Sequence, residues 1–314
     1  MHCIRQLIAT CVISVFSSFT VANDNEFNRD DKISVSEVAT KIIFKNGERK
    51  VLVFNHKDVK PPKGIDKIYT RSGYIHPLYS PAGKVVTDDF SDDHAHQHGL
   101  FHAFVKAKVD GEMLDFWNQQ KRTANVKCDS VLVDPRNPSR IKTVQTHYRS
   151  RDEKPIFKET WTIDVSSQKG CNVVDLMINI VNISGEKVVI EKNHYGSFGL
   201  RGSGQWRNPD KTAFEFVTSS EHNRKTGNLK REKWVAMVGK VDGKFCGVAV
   251  IAHQDNFRHP QPARLHPTMP YFSFAPMNLG SYDILNEQGS KSQFRIVTFD
   301  GKLDRKKIES LAIK

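Results

Sequence analysis

Apolar and polar residues alternate along much of this chain, the pattern expected of strands in half-buried β-sheets. The clearest example lies in residues 173–183, where every second side chain is apolar and would share one face of an extended backbone. These side chains are Val174, Leu176, Ile178 and Ile180. Residues 157–165 show the same alternation and predict a further strand, and residues 292–299 predict a late strand.

Three short turn signals predict β-hairpins. Asn46-Gly47, Asp110-Gly111 and Asp242-Gly243 each separate two apolar runs, and Gly after Asn or Asp favours the positive φ angles of a tight two-residue turn. The hairpins predicted in this way span residues 41–54, 103–117 and 233–253. Ser184-Gly185 predicts a turn into one more strand, over residues 187–190.

Only the last residues, from Arg305 onward, have a helical pattern. The chain contains no internal repeat, low-complexity stretch or Pro/Gly-rich linker that would mark a domain boundary. Many strands of medium length joined by tight turns predict an all-β fold. We therefore expect residues 23–314 to form a single large antiparallel β-sandwich with little helix.

Residues 1–22 predict a cleaved secretory signal peptide. Arg5 provides the positive charge, residues 7–19 are apolar or small, and Thr20-Val21-Ala22 offers the small residues of a cleavage site. The apolar run is shorter than the roughly 20 residues of a membrane-spanning helix, and no other segment approaches that length. The sequence thus predicts a periplasmic or extracellular protein without a transmembrane segment.

The amino-acid composition and the net charge limit the classes of partner that the chain could bind. The 314 residues are 38% hydrophobic and carry a formal net charge of +12, so the chain can bury a substantial core and is not of the disordered class. Lys and Arg are scattered evenly, and the predicted secretion argues against nucleic acid as a partner. An acidic polysaccharide, an anionic surface or no acidic partner would each suit this charge, and nothing indicates an oligomeric state.

Three cysteines follow the predicted signal peptide: Cys128, Cys171 and Cys246. They allow one disulfide at most, and their spacing matches neither a zinc site nor a CxxC redox motif. We expect them to be buried structural residues.

Four histidines lie close together in one short segment that follows four aspartates in the sequence. They are His94, His96, His98 and His102. In an extended strand, residues 94, 96 and 98 would point to the same side. Such a face could bind a divalent metal ion, hold a general acid or base tuned by the carboxylates, or be an ordinary polar loop. We expect chemistry without a metal cofactor, with a divalent metal at His94, His96 and His98 as the alternative.

Two further groups combine histidine with arginine next to predicted strand ends. Residues 193–196 read Asn-His-Tyr-Gly and are followed by Arg201, and residues 256–260 read Asn-Phe-Arg-His-Pro. A glycine at a strand end lets the backbone approach a ligand. Three such groups, each beside a strand end, predict one shared cleft.

Longer motifs accompany these groups. They are Tyr74-Ile75-His76-Pro77-Leu78-Tyr79-Ser80-Pro81-Ala82-Gly83, Val86-Thr87-Asp88-Asp89-Phe90, Asp93-His94-Ala95-His96-Gln97-His98-Gly99-Leu100, Asp115-Phe116-Trp117, Trp234-Val235-Ala236, Gly247-Val248-Ala249 and Asn256-Phe257-Arg258-His259-Pro260. Over roughly residues 40–300 the chain resembles the secreted bacterial family labelled "methane oxygenase PmoA". The resemblance implies a β-supersandwich similar to the galactose mutarotases and a link with bacterial polysaccharide breakdown.

The resemblance also implies a set of site residues. They are His76, His94, His96, Tyr195, Arg201, Asn256, Arg258 and His259. His98 departs from the family pattern, in which Arg is frequent at this position. We add His98 and His194 to the set as candidate substrate-binding residues.

These residue types suit β-elimination on an oligosaccharide that carries uronate. Pairing the substrate carboxylate with arginine stabilises the enolate-like charge of the transition state, while one group removes the α-proton and another protonates the leaving oxygen. We expect Arg201 or Arg258 on the carboxylate and His96 with Tyr195 as the proton-transfer pair. The further catalytic residues are His94 and His259, and the further substrate-binding residues are His76, His98, His194 and Asn256. The predicted function is a secreted lyase or dehydratase with an acidic oligosaccharide as substrate.

Three alternatives stay open at this point. Aldose epimerisation needs a carboxylate base and a histidine acid, a non-catalytic carbohydrate-binding protein needs aromatic and basic groups, and a metal oxidase would use the histidines as ligands. Trp117, Trp206 and Trp234 could stack on sugar rings, although core packing is expected of each taken singly.

Overall fold

The computed structural model describes residues 32–207, 213–285 and 289–312. The predicted signal peptide, residues 1–22, lies outside the described residues. Its cleavage, the secretion that it implies and the domain start at residue 23 therefore stay predictions. Within the described ranges, no helix has the length and apolar character needed to cross a membrane.

The described chain folds into 21 β-strands, four short 3-10 helices and one α-helix. In chain order the strands are β1 Ile33–Val38, β2 Lys41–Asn46, β3 Arg49–Asn55, β4 Tyr74–Leu78, β5 Leu100–Ala103, β6 Ala107–Val109, β7 Glu112–Leu114, β8 Ala124–Val133, β9 Arg140–Arg149, β10 Pro155–Gln168, β11 Cys171–Asn182, β12 Val188–Ile190, β13 Ser197–Arg201, β14 Phe214–Thr218, β15 Lys230–Glu232, β16 Trp234–Val241, β17 Lys244–Ala252, β18 Gln261–Leu265, β19 Tyr271–Phe274, β20 Tyr282–Asp283 and β21 Ser290–Asp300. The 3-10 helices are Lys67–Tyr69, Gln119–Lys121, Gly204–Trp206 and Pro276–Leu279, and the α-helix α1 is Arg305–Ser310.

These strands form two large sheets and one small sheet, in which the strand pairs are antiparallel. The nine-stranded sheet has the order β1-β2-β3-β4-β5-β13-β19-β18-β15. The eight-stranded sheet has the order β14-β16-β17-β21-β11-β10-β9-β8, and the small sheet the order β20-β12-β6-β7. The predicted all-β fold of large antiparallel sheets with little helix is confirmed.

The main hydrophobic core fills the space between the two large sheets. Leu176 and Ile178 of β11 face it from the eight-stranded sheet, and Phe198 and Leu200 of β13 face it from the nine-stranded sheet. The rings of Phe198 and Phe294 stack with their centroids 4.5 Å apart and so join the two layers. The period-2 pattern that predicted β11 is therefore the pattern that builds the sandwich.

The nine-stranded sheet buries side chains on its outer face as well. Phe101 of β5 and Tyr271 of β19 alternate with core residues and join a second cluster with Val109 and Ile190 of the small sheet. Arg201 lies opposite Tyr271 in the β13–β19 register, so it also projects from this outer face. The outer face of β5, β13, β19 and β18 is thus the surface on which polar groups gather.

Two of the three predicted hairpins form as expected. β2 pairs with β3 around Asn46-Gly47, and β16 pairs with β17 around Asp242-Gly243. The third is shorter than predicted, since β6 and β7 pair around Asp110-Gly111 while β5 belongs to another sheet. The strand predicted over residues 187–190 forms as β12 and pairs with β6 and β20, because both edges of β11 are already occupied by β10 and β21.

The C-terminal helix α1 begins at Arg305, as predicted. The Asp304 side chain accepts the backbone N–H of Lys307 and so caps the first turn. Ile308 and Leu311 then pack on the outer face of the eight-stranded sheet.

The three cysteines are buried free thiols, as predicted. Burial raises the pKa of Cys128 and of Cys246 to about 12, which keeps both groups protonated and unreactive. The three tryptophans considered as sugar platforms are buried as well. They are Trp117, Trp206 and Trp234.

Candidate functional site

The histidine segment is not a strand. Residues 91–98 form two consecutive turns, in which the His94 N–H donates to the Ser91 carbonyl and the Gln97 N–H to the His94 carbonyl, both at 3.0 Å. Asp and Ser favour such turns through local side-chain hydrogen bonds, and here Ser91 donates to the Asp88 carboxylate. The expectation that residues 94, 96 and 98 share one face of a strand is therefore wrong.

His98 differs from His94 and His96 in that both of its ring nitrogens have hydrogen-bond partners. Its ring is fully buried, with Nδ1 2.6 Å from Asp89 Oδ1 and Nε2 3.1 Å from Gln119 Oε1. The Gln119 amide nitrogen donates elsewhere, so its oxygen accepts and His98 donates from Nε2. With both nitrogens engaged, His98 is not free to bind a ligand, and the predicted metal set of His94, His96 and His98 does not form.

His94 and His96 lie at an open cleft, joined by a histidine from elsewhere in the chain. The ring centroids of His94 and His96 are 5.4 Å apart, and the ring of His266 lies 6.0 Å from that of His94. We call these three residues the imidazole cluster. The adjoining cleft measures about 360 Å³, and Tyr69 and Gln120 contribute to its walls.

Burial keeps the imidazole cluster neutral. It lowers the pKa of His96 to about 3, with the charges of His94 and Arg201 acting in the same direction, and it lowers the pKa of His266 to about 4. Nδ1 of His266 accepts the backbone N–H of Met269 at 3.1 Å, so the ring carries its proton on Nε2. The cluster therefore offers neutral rings with a nitrogen that can accept a hydrogen bond and one N–H that can donate.

Arg201 is buried, and both of its terminal nitrogens have partners, while Nε has none among the described residues. It donates twice to Asp93, at 2.9 and 3.2 Å, and once to Gln97 Oε1 at 2.9 Å. Arg207 forms an ion pair with the neighbouring Asp92. These contacts tie β13 to the histidine segment, and they direct the Arg201 donors to a carboxylate of the protein itself.

Tyr195 reaches the same outer face through Arg264. Nη2 of Arg264 donates to Tyr195 Oη at 3.0 Å, and the guanidinium carbon lies 4.9 Å from the centroid of the Tyr195 ring. Arg264 pairs with Ser273 across β18 and β19, which places it on the same face as Arg201. His266 follows two residues later, so Tyr195, Arg264 and the imidazole cluster form one continuous group, which we call the outer-face strip.

Two other predicted histidines have different surroundings. His194 is exposed, and its ring centroid lies 4.5 Å from that of Tyr195, at the end of the outer-face strip. Nδ1 of His76 lies 3.0 Å from Thr87 Oγ1, and burial lowers the pKa of this ring. His194 is thus placed to contact a ligand, whereas His76 is hydrogen-bonded within the protein.

The structure does not bring the segment 256–260 to the strip. Arg258 donates to three backbone carbonyls, at 2.8, 2.6 and 3.2 Å, and the Asn256 side chain forms two hydrogen bonds with the backbone of Gln293. The segment precedes β18 while His266 follows it, and four residue steps of strand separate the two ends by about 13 Å. The predicted residues placed apart in this way are Asn256, Arg258 and His259. The side chains of Asn256 and Arg258 hold loops, and Nδ1 of His259 is buried without a partner among the described residues. This placement corrects the expectation of one cleft shared by all three segments.

Arg264 and His266 are not among the site residues predicted from the sequence. Residues 262–266 read Pro-Ala-Arg-Leu-His, and Ala263 and Leu265 face the main core while Arg264 projects from the opposite face. This alternation is the signal that could have found them. It is weak because the strand is short and contains proline, which argues against a strand.

One group of three potential metal ligands occurs in the part of the chain that the structure describes. It consists of His102, His147 and Glu159, whose ligand atoms lie within 4.8 Å of one another. Both rings lie at hydrogen-bond distance from the same Glu159 oxygen, at 2.8 and 2.7 Å, and all three residues are buried. The group is a hydrogen-bond network centred on Glu159, in which His147 Nδ1 has no partner among the described residues. We assign no metal to it.

The fold and the strip define an antiparallel β-sandwich protein with candidate acid–base groups on the outer face of one sheet. Residues 41–313 match a family described as "Family of unknown function (DUF6807)", and the chain belongs to that family. This description does not include the "methane oxygenase PmoA" label, so that resemblance stays a prediction. No curated protein matches the chain.

Several solved structures are similar to the chain. A galactose mutarotase-related enzyme from Lactobacillus acidophilus has 9% identity and a TM-score of 0.38, over 86% of this chain and 100% of the other. A galactose mutarotase-like protein from Lactobacillus casei has 8% identity and a TM-score of 0.39, with the same coverage. A GH36 α-galactosidase from Geobacillus stearothermophilus has 8% identity and a TM-score of 0.36, over 88% of this chain and 40% of the other. At these scores the likeness carries no argument about activity.

Proposed function

We propose that this protein is a secreted carbohydrate-active enzyme that acts on uronate-containing oligosaccharides by β-elimination, as a lyase or a dehydratase. The imidazole cluster is the observation that carries the proposal. Its rings lie 5.4 and 6.0 Å apart beside a cleft, and no hydrogen bond to a described residue contributes to the pKa of His96. Buried polar groups that serve only the fold normally have partners, so a nearly buried imidazole without one favours a role in proton transfer.

In the proposed reaction, His96 takes the proton α to the substrate carboxylate. The electrons of that C–H bond form a C=C double bond, and the bond between the β-carbon and the leaving oxygen breaks. The leaving oxygen takes a proton from His266 Nε2 or from the Tyr195 hydroxyl. Each proton-transfer group typically contributes about 10²–10⁴-fold to the rate, and the step needs no oxidant or reductant.

The first experiment is a screen of the purified protein on uronate oligosaccharides. The new double bond is conjugated to the carboxylate and is detected by its ultraviolet absorbance. Product mass then separates loss of one water, which indicates a dehydratase, from a divided chain, which indicates a lyase. No unsaturated product from galacturonate, glucuronate, mannuronate or guluronate oligomers would contradict the proposal.

A substitution at His96 tests whether turnover depends on the imidazole cluster. His96→Gln is expected to abolish formation of unsaturated product while the protein stays folded. His56→Gln is the control, since His56 pairs with Glu37 of β1, which lies at the opposite edge of the nine-stranded sheet from β18. Unchanged sugar affinity in His96→Gln, measured by calorimetry, together with no turnover by the wild type on any substrate, would favour a non-catalytic carbohydrate-binding protein.

A further inference from the structure

Arg264, in the outer-face strip, differs in its partners from the guanidinium groups that pair with aspartates at the cleft. Arg201 pairs with Asp93, Arg207 with Asp92, and Arg122 with Asp66 of the cleft wall. For Arg264, no ion pair with a described carboxylate is formed, and its hydrogen-bond acceptors are all uncharged. Its positive charge is therefore available to an anion that enters the strip.

The Arg264 guanidinium is fixed in place with donors to spare. Nη1 donates to Asn228 Oδ1 at 2.8 Å and to the Leu265 carbonyl at 2.9 Å, and Nη2 donates to Tyr195 Oη at 3.0 Å. A guanidinium has five N–H donors, and these bonds use three of them. Nε is buried and has no partner among the described residues. A second hydrogen on Nη2 is also unused, and Nη2 is the nitrogen beside Tyr195.

Tyr195 adds a second donor at the same place. Because arginine has no acceptor, the hydrogen bond with Arg264 leaves the phenol proton of Tyr195 free for another partner. The ring itself is held between the guanidinium at 4.9 Å and the ring of Tyr271 at 6.1 Å. Two oriented donors, one of them charged, thus lie next to each other at the end of the strip.

We propose that Arg264 and the Tyr195 hydroxyl bind the carboxylate of the substrate, an assignment that rests on the proposed function. A carboxylate accepts hydrogen bonds from both donors and neutralises the unpaired guanidinium. His266 lies two residues beyond Arg264 in the chain, which places the carbon next to the bound carboxylate toward the imidazole cluster. The same guanidinium stabilises the charge that develops on the carboxylate when the α-proton leaves. Arg264 takes the role that was predicted for Arg201 or Arg258. Because the Tyr195 hydroxyl holds the carboxylate, His266 Nε2 is the proton donor to the leaving oxygen.

The test compares Arg264→Gln on a uronate oligosaccharide and on its methyl ester, which keeps the α-proton but lacks the charge. We expect kcat/KM on the acid to fall about 100-fold or more, as for loss of one oriented donor to a transition-state charge. The value on the ester is expected to change no more than in the control Arg231→Gln. Arg231 donates only to backbone carbonyls of residues 258–260. Arg264→Lys is expected to recover part of the loss on the acid.

The outcomes separate this inference from the proposed function. Equal losses on acid and ester in Arg264→Gln, or an acid-selective loss in Arg201→Gln alone, would overturn the carboxylate site while elimination stands. If the wild type forms no unsaturated product, calorimetry with the same uronate oligomers and their carboxyl-reduced forms decides. Acid-selective binding that is lost in Arg264→Gln supports the site without elimination, and absence of acid-selective binding overturns it.

Discussion

Two groups of histidines in this molecule differ in whether a carboxylate hydrogen-bonds to their rings. Between the large sheets, His102 and His147 both contact one oxygen of Glu159, and Trp161 donates to the other oxygen. On the outer face, the rings of the imidazole cluster contact one another at 5.4 and 6.0 Å, and His96 has no hydrogen bond that affects its pKa. The first group is organised around a buried carboxylate, although His147 Nδ1 has no partner among the described residues. The second group has no such carboxylate at its centre and lies beside a cleft.

The same burial therefore has different consequences in the two groups. Burial alone would raise the pKa of Glu159, but the charges and hydrogen bonds of His102 and His147 hold it well below its usual range. In the imidazole cluster no carboxylate hydrogen-bonds to a ring, so burial dominates and lowers the pKa of each histidine. The comparison teaches that partners, rather than residue type or depth, separate structural histidines from candidates for chemistry.

The group around Glu159 is expected to show the largest effect on stability. Glu159→Gln removes a buried charge that accepts from two histidines and that offsets the buried Arg71, so we expect a loss of about 3–5 kcal/mol in the free energy of unfolding. Urea denaturation measures this loss. Glu215→Gln, at an exposed position of β14, is the control. A loss for Glu159→Gln no larger than the control's would contradict a structural role for the network.

A substitution in the imidazole cluster is expected to reduce turnover and to have little effect on stability. His96→Gln should lower kcat by about 10²–10⁴-fold, the usual contribution of a proton-transfer group. It should leave the free energy of unfolding nearly unchanged, because no hydrogen bond from a described residue contributes to the pKa of this ring. Turnover and urea denaturation of the same preparation measure both quantities. A large loss of stability with kcat retained would assign His96 to the structural class.

His98 tests the comparison from within the histidine segment. It lies two residues from His96, yet both of its ring nitrogens have partners. We expect His98→Gln to cost about 1–3 kcal/mol of stability, as for a buried polar contact left unsatisfied at Asp89. Thermal unfolding measures this cost. A fully stable His98→Gln protein with lost turnover would place His98 among the reacting groups instead.

For each histidine and each pH unit, the pH dependence of stability gives the smallest effect. The pKa values of His96, about 3, and His266, about 4, lie below the unfolded value of 6.5. At pH values between the folded and the unfolded pKa, the unfolded chain binds more protons than the folded chain. The free energy of unfolding therefore decreases as the pH falls from about 6.5 toward 4, by at most about 1.4 kcal/mol per pH unit for each histidine. Replacing either ring by Gln should flatten this slope relative to the wild type. An unchanged slope would mean that these rings titrate normally.

The sequence predicted the parts of the fold whose patterns are local. β10 and β11 alternate strongly, and the hairpins at Asn46-Gly47 and Asp242-Gly243 are set by residues that favour positive φ. β4, β13 and β18 gave no such signal. Pro77 interrupts β4, Gly199 lies inside β13, and both faces of β13 are buried, so its apolar and polar residues do not alternate.

Only part of the site could be predicted, because the local pattern of apolar and polar residues does not determine the order of the strands in a sheet. His94, His96 and Tyr195 could be named from residue type and clustering. Their connection through Arg264 and His266 depends on β13 and β18 both pairing with β19, a long-range arrangement that no segment shows by itself. The separation of Arg258 from this group has the same cause, since it stands at the other end of β18.

The ion pairs of Arg201 with Asp93 and of Arg207 with Asp92 have a consequence for ligand affinity. They clamp the two turns that carry His94 and His96 before any sugar arrives. A preorganised loop loses little conformational freedom on association, so most of the contact energy with a glycan would register as affinity. We expect the apo and liganded forms to superimpose closely over residues 91–98.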